Sequence, residues 1–143
     1  MSLAANKALA QRWFEEVWNQ GKESTIDELF HPQGKAYGFP EPDSVLVGRE
    51  AFKTIHRQFH SAFGNIHVNL DDLVAEGDRV AIRWTVTMKH TGNGLGFPAT
   101  GRDVTLPGSS FITCRDGIMT EGWNSMDMTK LTFLLQSMPV LIN

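Results

Sequence analysis

Trp123, Ser125 and Asp127 fall two residues apart, the period at which side chains of a strand share one face. If Trp123 looks into an apolar hollow, Asp127 looks into it too. A carboxylate held there has its charged form desolvated and its pKa raised, which makes it a base toward a C–H flanked by carbonyls near neutral pH. Asp127 also stands just ahead of an apolar helical run, where aspartate is a favoured N-cap and the hydrogen bonds donated to it lower its pKa. The residues themselves leave both roles open.

Two further side chains have the chemistry to assist such a base. Tyr37, the only tyrosine, lies on a short strand at the expected mouth, and its hydroxyl could donate to a developing enolate or simply anchor a loop. His90 ends a strand ahead of a glycine-rich loop, either as a second proton carrier or as a solvated strand end. His56 and His60 share a helix face at a spacing of four, but Arg57 follows the first histidine where H-E-x-x-H needs glutamate, so no metal is expected. Asp71-Asp72 with Arg83 resembles an acid pair of epoxide-hydrolase type, although neighbours on a strand point to opposite faces and a bulge is the simpler reading. Gly92-Asn93-Gly94-Leu95-Gly96 lacks the dinucleotide spacing and runs into Phe97-Pro98 rather than a helix.

The elements that must position these groups follow from hydrophobic period. Leu9, Trp13, Phe14, Val17 and Trp18 recur at helical spacing, predicting a helix from Leu3 to Gln20 that Gly21 stops. A short helix follows from Ser24 to Phe30, then an edge strand at Lys35-Ala36-Tyr37, and a third helix from Arg49 to Phe63 with the stripe Phe52, Ile55, Phe59 and Phe63. Beyond it the period becomes two. Hairpins are predicted around Glu76-Gly77-Asp78 and Asp116-Gly117, and a last helix from Thr129 to Met138, before Pro139. Helices followed by long antiparallel strands make an α+β pattern, a curved sheet whose helices cover one face and leave a central hollow. Its lining is expected from Trp18, Phe59, Phe63, Trp84, Phe111 and Trp123, with His56 at the border.

The 143 residues suit a single domain spanning 1–143, with 41% hydrophobic and 20% charged residues and a formal charge of −3. Scattered lysines and arginines give no footprint for nucleic acid, and no apolar stretch approaches a membrane span of roughly 18 residues. Nothing near the start reads as a signal peptide, so a cytoplasmic location is expected. Cys114 stands alone and is expected to be a small buried hydrophobe.

The order of Phe14-Glu15-Glu16-Val17-Trp18-Asn19-Gln20-Gly21, Val74 to Trp84, His90-Thr91-Gly92, Gly101-Arg102 and Asp116-Gly117 to Trp123 with Asp127 resembles the SnoaL-like polyketide cyclases of the NTF2-like superfamily. The resemblance implies an NTF2-like cone, a curved antiparallel or mixed sheet wrapped around N-terminal helices with a central pocket. It also implies cofactor-free ring closure, with Asp127 at the position of the family's general base. Tyr37 stands where a histidine is frequent, Gly122 replaces a bulkier residue, and Asn124 often has a carboxylate counterpart.

The expected function is therefore a cofactor-independent cyclase, isomerase or lyase acting on a small hydrophobic carbonyl compound, with Asp127 as base and Tyr37 or His90 as partner. The alternatives are a non-catalytic ligand-binding or dimerisation domain and an epoxide hydrolase. A homodimer is expected through the outer sheet face bearing Arg83, Thr85, Thr87 and Lys89.

Overall fold

The computed structural model describes residues 2–136. The opening helical stretch divides into α1 (Leu3–Trp13) and a π-helical segment (Phe14–Asn19), rather than one α-helix to Gln20. Ser2 Oγ caps its start by accepting the Ala5 N–H. Then come α2 (Ser24–Leu29), β1 (Phe30–Tyr37), β2 (Val45–Val47) and α3 (Arg49–Ala62). The rest is β3 (Phe63–Glu76), β4 (Arg79–His90), β5 (Asp103–Arg115), β6 (Ile118–Met126) and α4 (Met128–Gln136). The expected end of the last helix, at Met138 and Pro139, lies outside the described residues.

The strands form one mixed sheet in the order β2-β1-β6-β5-β4-β3. β1 is not an edge strand. It pairs antiparallel with β2 on one side and parallel with β6 on the other. The expected bulge near Asp71 is present as a register shift between Leu70 and Asp72.

Alternation along β4 shows how the sheet faces its helices. Val80, Ile82, Trp84, Val86, Met88 and His90 are all buried, while Arg83, Thr87 and Lys89 between them are exposed. On α3, Phe52, His56, Phe59 and Ala62 form the buried stripe at three- and four-residue spacing. Each large apolar side chain buried in this way contributes about 1.5–3 kcal/mol. Among the described residues no helix is long and apolar enough to cross a membrane.

Candidate functional site

Between the helices and the inner face of the sheet lies a cavity with almost wholly apolar walls. The helical side supplies Trp13, Phe14, Trp18, Phe52 and Phe59. From the sheet come Ala36 on β1, Trp84, Val86 and Met88 on β4, and Gly122, Asn124 and Met126 on β6. About 90 Å³ can hold the centre of a water-sized sphere, against the roughly 10–15 Å³ that one water needs. A wider depression of about 820 Å³ by the same measure lies between Pro40–Pro42, the loop around Leu95 and α4, and shares Phe59 and Met128 with the cavity.

Apart from the tryptophan indoles, Asn124 carries the only polar side chain in the lining among the described residues, and none of those in the lining is ionisable. Its orientation follows from what surrounds it. Trp84 Nε1–H can only donate, and it does so to Ser110 Oγ at 3.0 Å. The Ser110 hydroxyl is then free to donate, and reaches Asn124 Oδ1 at 2.8 Å. Asn124 Nδ2 donates in turn to the Tyr37 carbonyl at 3.3 Å. Reversing the amide would set Asn124 Oδ1 against the Tyr37 carbonyl, two acceptors face to face, so the oxygen faces Ser110 and the nitrogen faces β1. One N–H of Nδ2 is left over.

Trp18, Phe59 and Trp84 stand in the cavity wall, as the periodicity of their helices and strand predicts. The face of β6 is the opposite of the one expected. Gly122, Asn124 and Met126 look inward, whereas Trp123 is 52% exposed and Phe111, its cross-strand neighbour, 55% exposed on the outer side. The pairing of β5 with β6 slips at Thr113/Cys114, where Met119 opposite Cys114 is followed by Glu121 opposite Thr113. Met119 and Gly122 are therefore both inward at a spacing of three. Tyr37 turns outward as well and stacks on Trp123 with ring centroids 3.9 Å apart. Only its backbone carbonyl serves the site.

Asp127 lies exposed between two residues of the lining, Met126 and Met128. Its Oδ1 accepts the Lys130 N–H at 2.9 Å, and its carbonyl accepts the Leu131 N–H at 3.0 Å. That is the geometry of an N-cap on α4. His90 is fully buried rather than a solvated strand end, beyond Met88 on the same strand face. Its Nδ1 accepts the Thr100 N–H at 3.2 Å and so ties the glycine-rich loop to β4. Burial holds its pKa below the ordinary imidazole value. Phe63 packs between Phe59 and His90, outside the lining.

His56 stands behind the wall. Its Nε2 donates to the Val17 carbonyl at 2.6 Å, within the π-helical segment, and its ring lies 5.1 Å from that of Trp18. His60 is half-buried, with its ring stacked on Trp18 at 5.8 Å and 4.5 Å from that of His56. Burial lowers both pKa values, and for His60 the charge of His56 lowers it further. Among the described residues no three His, Cys, Asp or Glu side chains gather as a ligand set for a metal ion. Asp72 pairs with Arg83 on the exposed face at 2.8 Å, and Asp71 accepts from Thr85 at 2.6 Å, so neither carboxylate lines the cavity.

Gly122, Asn124, Ser110 and the methionines were not picked out as site residues from the sequence. The signal was present: Gly-x-Asn-x-Met repeats at a spacing of two over 122–126, in the register opposite to Trp123.

The family model for SnoaL-like polyketide cyclases matches residues 8–133. TsrD from Streptomyces laurentii superposes with a TM-score of 0.80 at 27% identity, covering 96% of this chain and 98% of that one. AclR from Streptomyces galilaeus, described as a hydroxylase, does so with a TM-score of 0.81 at 28% identity, covering 99% and 87%. A protein from Jannaschia sp. CCS1 described as a SnoaL-like polyketide cyclase shares the fold at a TM-score of 0.86 and 22% identity, over 95% and 94% of the two chains. A comparison with curated proteins finds no match. With most of its length matched by the family model and its fold superposing on these structures, the chain belongs to the SnoaL-like polyketide cyclase family and has an NTF2-like fold.

Proposed function

We propose that this protein binds a small, flat, largely apolar carbonyl compound in the cavity beneath its helices. The observation that carries the reading is the lining itself: aromatic, aliphatic and methionine side chains with one amide and no ionisable group. Such walls desolvate an apolar molecule and offer it little else. Catalysis by proton abstraction, the chemistry the family name suggests, needs a base at the reacting carbon. Asp127, which caps α4 through Oδ1 and is absent from the lining, argues against that role, and the Asp71–Asp72 pair of an epoxide-hydrolase reading lies outside the lining too.

Thermal unfolding with aromatic polyketide-like and steroid-like ketones tests the proposal. A ligand bound only by the folded state, at about 100 times its Kd, stabilises by about 2.7 kcal/mol and raises the melting temperature. Absence of a shift across the whole panel would count against the reading.

We propose in addition that the outer face of the sheet pairs with a second copy of the chain. Val45, Tyr37, Trp123, Phe111, Ala81 and Val74 are successive cross-strand partners and so form one row across all six strands. At a strand spacing of about 4.8 Å the row runs about 24 Å. Four of its members are about half or more exposed: Val45 49%, Trp123 52%, Phe111 55% and Val74 62%. This stripe replaces the Arg83, Thr85, Thr87 and Lys89 patch as the centre of the expected contact, since Arg83 is occupied by Asp72.

A further inference from the structure

Most of the tightly placed glycines near the cavity are required by close packing. A Cβ at Gly38 would run into the Asn124 carbonyl oxygen, and one at Gly108 would run into the Trp84 ring. Gly122 differs. A Cβ built there meets only Asn124 Nδ2, at 4.0 Å, which is ordinary contact. Its φ is not among the positive ones, so the backbone does not call for glycine either. Glycine is unfavourable inside a strand, yet neither packing nor conformation demands it at this position. What its missing side chain leaves is space, on the cavity wall and against the amide nitrogen of Asn124.

We propose that Gly122 and Asn124 together form a notch that takes the carbonyl oxygen of the ligand, and so set which apolar molecules the cavity prefers. The proposal rests on the reading of the cavity as a ligand site. The Trp84–Ser110–Asn124–Tyr37 chain fixes the amide so that the nitrogen, not the oxygen, borders the notch. With one N–H spent on the Tyr37 carbonyl, the other is available to donate. The notch offers a donor and so matches an acceptor such as a ketone or quinone oxygen, at one end of a molecule whose remainder touches only apolar walls. It is a specificity device, since an uncharged amide donor can hold and polarise a carbonyl but cannot remove a proton from carbon.

Calorimetric titration with 1-tetralone and with tetralin, the same bicyclic skeleton without the oxygen, reads the notch separately from the cavity. The measured quantity is the ratio of the two affinities in the wild type, Asn124→Leu and Gly122→Ala. Asn124→Leu is expected to lower the ketone-to-hydrocarbon ratio about tenfold, the size of one hydrogen bond to a desolvated carbonyl. Gly122→Ala fills the notch with a methyl at ordinary contact distance from Asn124 Nδ2, leaves the amide's hydrogen bonds to Ser110 and Tyr37 in place, and is expected to lower the ratio several-fold while keeping the protein folded. If Asn124→Leu proves too unstable to titrate, Gly122→Ala decides alone. A ratio unchanged in the variants overturns the notch and leaves the cavity reading standing, because both probes still bind. Failure of both probes to bind the wild type overturns the cavity reading and the notch with it.

Discussion

Asp127 shows how much a single hydrogen bond decides. The same carboxylate is a base if it points inward and a cap if it points along the next helix, and the Lys130 N–H on its Oδ1 selects the cap. Asp127→Ala should therefore cost about 1 kcal/mol of stability in urea unfolding, and Asp127→Asn much less, because asparagine caps nearly as well. Neither change should alter ligand affinity. If Asp127→Asn instead removed a turnover by about 10²–10⁴ without loss of stability, the family's base would be at work here. Trp18, Phe59 and Trp84 were legible as wall residues because burial of their elements on one side fixes their phase. Trp123 and Phe111 were not, since alternation gives a strand's two faces but not which is inner, and an aromatic ring can be satisfied outside by stacking on another, as Trp123 is on Tyr37.

The elements were more legible than their pairings. Helical and two-residue periods located the helices and both hairpins, but the π-helical segment and the parallel β1–β6 pairing depend on contacts far along the chain. The π segment matters because the Val17 carbonyl it presents accepts from His56, which together with its neighbour His60 packs against Trp18. Three enclosed or partly enclosed histidines, His56, His60 and His90, have folded pKa values below the unfolded value of about 6.5. As pH falls through that value the unfolded chain takes up protons that the folded one does not, so stability present above about pH 6.5 is lost on acidification. The nearby charges oppose one another at His56, Glu23 favouring its proton and Arg57 disfavouring it, and burial outweighs both. Melting temperature should fall between pH 7 and pH 5, a window above the titration of the carboxylates, and His60→Phe should flatten that slope. At the other side of the cavity, Gly108→Ala would press its methyl into the Trp84 ring, and denaturant unfolding should report a loss of about 1–3 kcal/mol from overpacking.

For the whole molecule, one sheet has two distinct faces: an inner one that lines the cavity and an outer one crossed by a row of largely apolar side chains. If that row is the contact between two copies, sedimentation should find dimers at micromolar concentration, and Trp123→Glu should give monomers whose cavity still binds ligand. A wild type that sediments only as monomer would remove the pairing but not the cavity. The sequence order of helices and strands was enough to point to this architecture, because α+β connectivity leaves few ways to cover one face of a bent sheet. It was not enough to say what fills the hollow. The methionines offer the most direct measurement of that claim, since four of the six, Met88, Met119, Met126 and Met128, line the cavity. In a carbon–proton correlation titration of methyl-labelled methionine with 1-tetralone, their four resonances should move together and saturate with one dissociation constant. Binding that leaves all four unmoved would contradict the account, because the ligand would then be held somewhere other than the cavity.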